Sequence, residues 1–336
     1  MKAQMLQETG SALDIPLKLL GSMLSPAGSG ARLSILIYHR VLPTPDPLFP
    51  DEVDVSRFEA QMVKVCRLFN VLPLSDAVHR LQRNALPSRA ACITFDDGYA
   101  DNAEVALPVL QRLGIPATFF IASGYLGQGC MFNDKVIEVV RRYPETHLDL
   151  SRLGLGKHSV ATFEEKRSAI STLLSQLKYK PLAERLALVG EVGATVGWED
   201  PLHLMMSPQQ VRQLHDAGME IGGHTVNHPI LASTDIATAR TEIGDNRDRL
   251  AEITGAPVRL FAYPNGKPHV DYRAEHVALV KNMGFDAAVS TAWGVSTQNS
   301  DLFQLPRFTP WDQSLVRFAA RLTGNLRKTK PAVVMP

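Results

Sequence analysis

Short apolar runs alternate with helical periodicities along most of this chain. Residues 34–39 (Ser-Ile-Leu-Ile-Tyr-His) form an apolar run ended by His39 and predict a first buried strand. Pro43, Pro45, Pro47 and Pro50 then predict an extended loop. Ser56 is placed to cap a helix running to residue 68, in which Phe58, Met62, Val65 and Cys66 recur at helical spacing. A second short helix, 75–84, leads to an apolar strand that begins at Ala91 and stops at Asp96-Asp97-Gly98. After a helix at 103–113, residues 117–122 predict a third strand. Residues 128–206 differ, with helical patterns near 134–142, 164–178 and 181–193 and no clear strand. They read as a helical insertion on one loop, a lid or substrate-shaping element.

Regular alternation then resumes. A helix at 208–217, with Ser207 as its cap and Pro208 in its first position, precedes a strand at 219–224. A long helix at 234–254 ends at Gly255, and a strand at 258–263 is stopped by Pro264-Asn265-Gly266. A helix at 272–283, a strand at 285–291 and a last candidate strand at 303–307 complete the series. Strands separated mainly by helices require a mostly parallel sheet, and seven such units favour a closed or nearly closed barrel over an open sheet. The expected organisation is a lead-in at 1–33, an α/β barrel at 34–310 carrying the insertion, and a C-terminal helix with a basic tail at 311–336.

Composition narrows the function classes. With 45% hydrophobic and 21% charged residues the chain reads as soluble and globular, and its net charge of +1 argues against a general nucleic-acid partner. No glycine-rich phosphate loop is present, which weakens a nucleotide-binding reading. Cys66, Cys92 and Cys130 lack metal-ligand spacing, and Cys92 falls inside a core strand, so a reducing compartment fits. Residues 13–24 are fairly apolar but are interrupted by Asp14, Pro16 and Lys18, which makes a poor secretory signal and a better amphipathic lead-in helix. A cytoplasmic location is the expectation. The basic residues Arg321, Arg327, Lys328 and Lys330 predict a solvated helix end, with peripheral contact to anionic lipid as the alternative.

Two stretches carry chemistry. Asp96-Asp97-Gly98 fits a plain turn, but two adjacent carboxylates at the C-terminal end of a strand also fit metal or acid/base work. His224-Thr225-Val226-Asn227-His228 follows another strand at the same end of the fold, and a helical turn would bring both imidazoles to one metal. One of the carboxylates with the two imidazoles then makes three protein ligands, with positions left for water and substrate. Such donors suit zinc, with cobalt, nickel or iron on the same set. The spare carboxylate is left to act as a base.

Thr94-Phe95-Asp96-Asp97-Gly98 together with His224-Thr225-Val226-Asn227-His228 resembles the first two motifs of the polysaccharide deacetylase (NodB-homology, carbohydrate esterase) family, in order and in separation. The resemblance covers about residues 34–125 and 205–310. It implies a distorted (β/α) barrel and the removal of N-acetyl groups from an amino-sugar glycan or glycoconjugate by a bound divalent metal. Asp96 would be the general base, and Asp97, His224 and His228 the metal ligands. The place of the third motif is taken by Phe261-Ala262-Tyr263-Pro264-Asn265-Gly266, which puts Tyr263, Pro264 and Asn265 at the substrate, with the Tyr263 N–H as oxyanion donor and its ring along the sugar groove.

Two positions depart from the family pattern. Phe261 stands where an arginine usually orients the base, with Arg259 two residues earlier, and Arg307 stands where the last motif usually has a histidine acid. In a closed barrel the first and last strands are neighbours, so His39 is the candidate acid and Arg307 the candidate partner of Asp96. His39 equally fits a structural cap on strand one. Trp293 and Trp311 are candidate stacking platforms, and His269, Asp271 and His276 candidate substrate contacts. Two other readings stay open: an amide or ester hydrolase with a non-sugar substrate, and a carbohydrate-binding protein that has lost turnover.

Overall fold

The computed structural model describes residues 12–127, 129–195, 197 and 204–335. A lead-in helix, α1 (Asp14–Leu24), precedes β1 (Leu33–Tyr38), whose side chains are all buried. α2 (Val55–Leu68) is capped by Asp54, which accepts from the N–H groups of Ser56 and Arg57, two residues earlier than the Ser56 cap expected. A two-residue strand, β2 (Asn70–Val71), and α3 (Leu74–Gln82) precede β3 (Ala90–Phe95). α4 (Leu107–Leu113) then leads to β4 (Thr118–Ile121).

The insertion contains α5 (Phe132–Arg142), a hairpin of β5 (His147–Leu150) and β6 (Gly156–Ser159), α6 (Phe163–Lys178) and α7 (Leu182–Ala194). The hairpin corrects the all-helical expectation. Leu148 and Leu150 alternate with exposed His147 and Asp149, a period of two spread over too few residues to stand out in the sequence. Val136, Val140, Leu148, Leu173 and Val189 give the insertion a core of its own.

The scaffold resumes with α8 (Pro208–Asp216), β7 (Glu220–Gly223), α9 (Ile236–Thr254), β8 (Leu260–Ala262), α10 (Ala274–Asn282), β9 (Ala287–Val289) and α11 (Leu315–Asn325). The strands run β1-β3-β4-β7-β8-β9 in one curled parallel sheet, with β2 beside the start of β3. This is the distorted (β/α) barrel with mainly parallel strands that the sequence predicts.

The sheet has seven strands, but the membership differs from the expectation: β2 is added, and 303–307 is not a full strand. That segment still joins the two ends of the sheet. Leu305 bonds to Ala288 and Ser290 of the β9 region, and Phe308 bonds to Ile35 and Ile37 of β1 at 2.7 and 3.0 Å. Pro306 lies between them and has no N–H to extend a ladder, so closure rests on isolated bridges. Phe308 is buried and packs edge-on against Phe318 of α11. Phe308→Ala should therefore cost about 3–5 kcal/mol in urea unfolding; a loss under about 1 kcal/mol would show that this segment does not hold the barrel together.

Candidate active site

β3 ends in a turn that few residues tolerate. Asp97 and Gly98 both have positive φ, +76° and +97°, and a Cβ on Gly98 would come within 2.9 Å of Ile121. Aspartate accepts the left-handed region and glycine prefers it, so the sequence permits a bend that turns both carboxylates into the barrel mouth.

The His224–His228 loop is held differently from the expectation. No helical turn joins the two histidines: Thr225 and His228 have φ of +66° and +50°, and the segment is irregular. Two residues one helical turn apart on α9 shape it. Asn246 accepts the His224 N–H (3.0 Å) and donates to the carbonyls of Thr225 (2.6 Å) and Ile121 (2.9 Å). Glu242 accepts from the N–H groups of Val226 and Asn227 and from the Asn227 side chain. The sequence reading missed both residues. Their signal was a pair of polar residues at i and i+4 on a long helix, which ordinarily marks a solvated face.

Asp97 Oδ1 stands 3.4 Å from Nε2 of both His224 and His228, and the three donor atoms lie within 4.8 Å of one another. Bond lengths of about 2.0–2.2 Å place tetrahedral N and O ligands about 3.3–3.5 Å apart, so the spacing fits a small divalent cation. The His224 Nδ1 meets the Ala262 carbonyl at 2.7 Å, an arrangement that leaves Nε2 as the metal-facing lone pair. Burial and its histidine neighbours act in opposite directions on Asp97, and the histidines win, holding its carboxyl well below the usual range. Burial pushes His228 down to about 3, a neutral imidazole ready to ligate.

Asp96 has a different main partner, although one of its oxygens is 4.0 Å from the His224 Nε2. Arg307 donates to both of its oxygens at 2.7 Å, and Nε of Arg307 donates to the Ser290 carbonyl at 2.9 Å. The pair is fully buried, with side chains 0% and 3% exposed. Burial opposes the Asp96 charge, but the guanidinium outweighs it and keeps the carboxyl below its ordinary value. Arg259 is on the surface near Asp286 and does not take this position.

A cavity of about 310 Å³ opens onto these groups. His39, Asn265 and Thr291 line it from the barrel, and Phe132, Asn133 and Lys178 from the insertion. His39 is exposed at the end of β1, and its ring makes no hydrogen bond among the described residues. The insertion therefore shapes the pocket. A second groove of about 370 Å³ shares His39, Asp97 and Asn133 with the cavity and extends to Trp311.

Several expectations are corrected here. The Tyr263 ring is buried and stacked on Tyr272 with centroids 4.0 Å apart, so it does not line the groove, and the Tyr263 N–H donates to Val289 in the sheet. Pro264 is buried as well, leaving Asn265 as the member of that motif at the cavity. Trp293 lies against Trp311, Phe308 and the cations Arg321 and Lys328, away from the cavity. Of the two tryptophans, Trp311 is the one on the groove. Asp271 accepts the Lys267 N–H, His276 accepts the Arg273 N–H, and His269 meets the Val333 carbonyl, so these three serve the local fold.

The profile of the polysaccharide deacetylase family matches residues 83–288. The chain belongs to the polysaccharide deacetylase family. It is 20% identical over 279 residues to YxkH of Bacillus subtilis (strain 168), covering 82% of this chain and 71% of that one. The deacetylase PplD of Streptococcus pyogenes, solved with acetate, superposes with a TM-score of 0.58 at 18% identity, over 90% of this chain and 99% of its own. IcaB of Ammonifex degensii gives a TM-score of 0.56 at 19% identity, over 89% and 98%. At those identities the structural likeness establishes the deacetylase fold.

Among the contacts that tie the insertion of this deacetylase-family chain to the Asp96-Asp97-Gly98 turn, one involves a buried acid. Asp134, near the start of α5, accepts the Met131 N–H and the hydroxyl of Tyr99, two residues from Asp97. Burial pushes its carboxyl up from 3.8 to about 7. The unfolded chain therefore releases this proton first, so the stability it contributes is full below about pH 4 and declines as pH rises toward 7. Asp134→Asn should flatten that decline in urea unfolding across the same range. Parallel curves for wild type and variant would show that Asp134 does not stay protonated in the fold.

Proposed function

We propose that this protein is a divalent-metal-dependent hydrolase that removes N-acetyl groups from an amino sugar in a glycan or glycoconjugate. The observation that carries this reading is the division of labour between adjacent carboxylates: Asp97 beside the imidazole nitrogens of His224 and His228, and Asp96 clamped by Arg307.

A cation held by Asp97, His224 and His228, with zinc best suited and cobalt, nickel or iron usable, supplies Lewis acidity toward the acetyl carbonyl and acidifies water. Asp96 takes the proton from the attacking water. Its two oxygens each keep a lone pair after bonding to Arg307, so the clamp orients the base without consuming it. The N–H of Asn265 makes no hydrogen bond within the described residues, while its carbonyl is pinned by Thr291 at 2.7 Å. It is the donor available to the tetrahedral oxyanion. His39, exposed at the cavity wall, gives a proton to the departing amine. Trp311 on the adjoining groove supports a sugar over a non-sugar acyl substrate.

Acetate release from N-acetylated oligosaccharides and lipid-linked N-acetyl sugars, measured with added zinc or cobalt, tests the whole reading; no release from any of them would leave a binding protein. Within it, Asp96→Asn should retain metal and lose about 10²–10⁴-fold in turnover. His224→Ala should lose both, and full metal occupancy in that variant would remove it from the ligand set. His39→Ala with near-normal turnover would sink its acid role. Arg307→Met removes the charge that keeps Asp96 ionised, so the acid limb of the pH–rate profile should move to higher pH. An unmoved limb would assign the ionisation to another group.

A further inference from the structure

We infer that the flank formed by α1 and α11 is a docking surface for an anionic lipid bilayer. α1 is apolar on both sides, which is unusual for a helix on a surface. Leu17, Gly21 and Leu24 face the protein, and α1 packs against α2 and α11. Ile15, Leu19 and Met23, spaced four residues apart on the opposite side, are 72%, 61% and 74% exposed. A continuous apolar stripe of this kind marks an interaction site rather than scattered surface residues. The only acid on α1, Asp14, is neutralised by Lys64 at 2.6 Å and also approached by Arg67. Lys18 is exposed beside the stripe.

The neighbouring helix supplies the charge. Val316 is 51% exposed on α11, and the Arg317 side chain beside it is 78% exposed. Residues 312–330 hold Arg317, Arg321, Arg327, Lys328 and Lys330 against the single acid Asp312, in a chain whose net charge is only +1. Asp312 is buried and pairs with Arg321 and Arg317, which leaves Arg327 and Lys330 exposed with no acid nearby in sequence. An exposed apolar stripe flanked by unbalanced cations is the combination that holds a protein in the headgroup region of an anionic membrane. Among the described residues no helix is long and apolar enough to cross one. Trp311, on the groove beside the cavity, stands just ahead of α11, so docking along this flank would bring the groove close to the bilayer surface.

Sedimentation of the full chain with phospholipid vesicles tests this. Vesicles with about one-third phosphatidylglycerol should bind it at least about tenfold more strongly than pure phosphatidylcholine, and added salt should weaken the binding. The exposed triple variant Ile15→Ser, Leu19→Ser, Met23→Ser should lose about tenfold or more, with unchanged circular dichroism and unchanged turnover of a soluble N-acetylated oligosaccharide. Arg317→Glu with Arg327→Glu and Lys330→Glu should abolish the preference for phosphatidylglycerol. Failure of the wild type to bind anionic vesicles at low salt, or equal binding by the triple variant, would overturn the proposal. So would a wild-type dimer that the triple variant converts to a monomer without any effect on vesicles, since the stripe would then be a contact between copies of this chain.

Discussion

The buried pair between Arg307 and Asp96 joins the closure of the barrel to its chemistry. Both groups are almost wholly removed from water, and two 2.7 Å hydrogen bonds satisfy the carboxylate while Ser290 accepts from the guanidinium. Such a pair adds little net stability over an apolar substitute, but losing one partner strands a buried charge at about 3–5 kcal/mol. Arg307 lies between Leu305, which bridges β9, and Phe308, which bridges β1. The segment that closes the sheet therefore also delivers the cation to the end of β3. A closing segment displaced by a turn would leave Asp96 buried without a counter-charge, so closure and the ionisation of Asp96 depend on each other.

Around that pair, the site is built from a rigid floor and an added wall. The floor is the strand ends, where glycines at 222 and 223 allow close packing: a Cβ at Gly222 would lie 2.4 Å from the Phe120 ring, and one at Gly223 would lie 2.8 Å from Asn246. The wall is the insertion, whose apolar core also takes in Leu48 from the loop after β1, and which meets the floor through the Asp134–Tyr99 bond and the Met206–Gly98 backbone bond. An insertion packed largely on itself and anchored by a few polar contacts can vary in shape without disturbing the donor set beneath it. In this chain it places Phe132, Asn133 and Lys178 on the wall of the cavity.

The sequence was most legible where a physical pattern is local. Largely apolar runs identified β1, β3, β4, β7, β8 and β9, because buried parallel strands need little polar face. The two short motifs were visible because Asp-Asp-Gly and His-x-x-x-His each concentrate unusual chemistry in a few residues. The weaker expectations failed where the outcome depended on partners distant in sequence. Tyr263 looked like a groove residue at a strand end, but Tyr272 and the Phe303 carbonyl draw its ring inward. Trp293 looked like a platform until the cations of α11 and the tail covered it. The histidine loop was read as a helical turn because four-residue spacing suggests one, whereas its shape comes from Asn246 and Glu242 on α9.

By itself, the sequence determined the fold class, the order of strands along the chain, and the chemical types gathered at the strand ends. Those follow from periodicity and from residue chemistry, which are properties of short stretches. The expected partnership of Arg307 with Asp96, 211 residues apart, became a two-pronged contact through both terminal nitrogens, and the expected shaping role of the insertion became one wall of the cavity; only the tertiary structure decided that Asn265 rather than Tyr263 borders it. Each of these depends on how a curled sheet brings its first and last strands together, and that curvature comes from packing of the whole barrel rather than from any one segment.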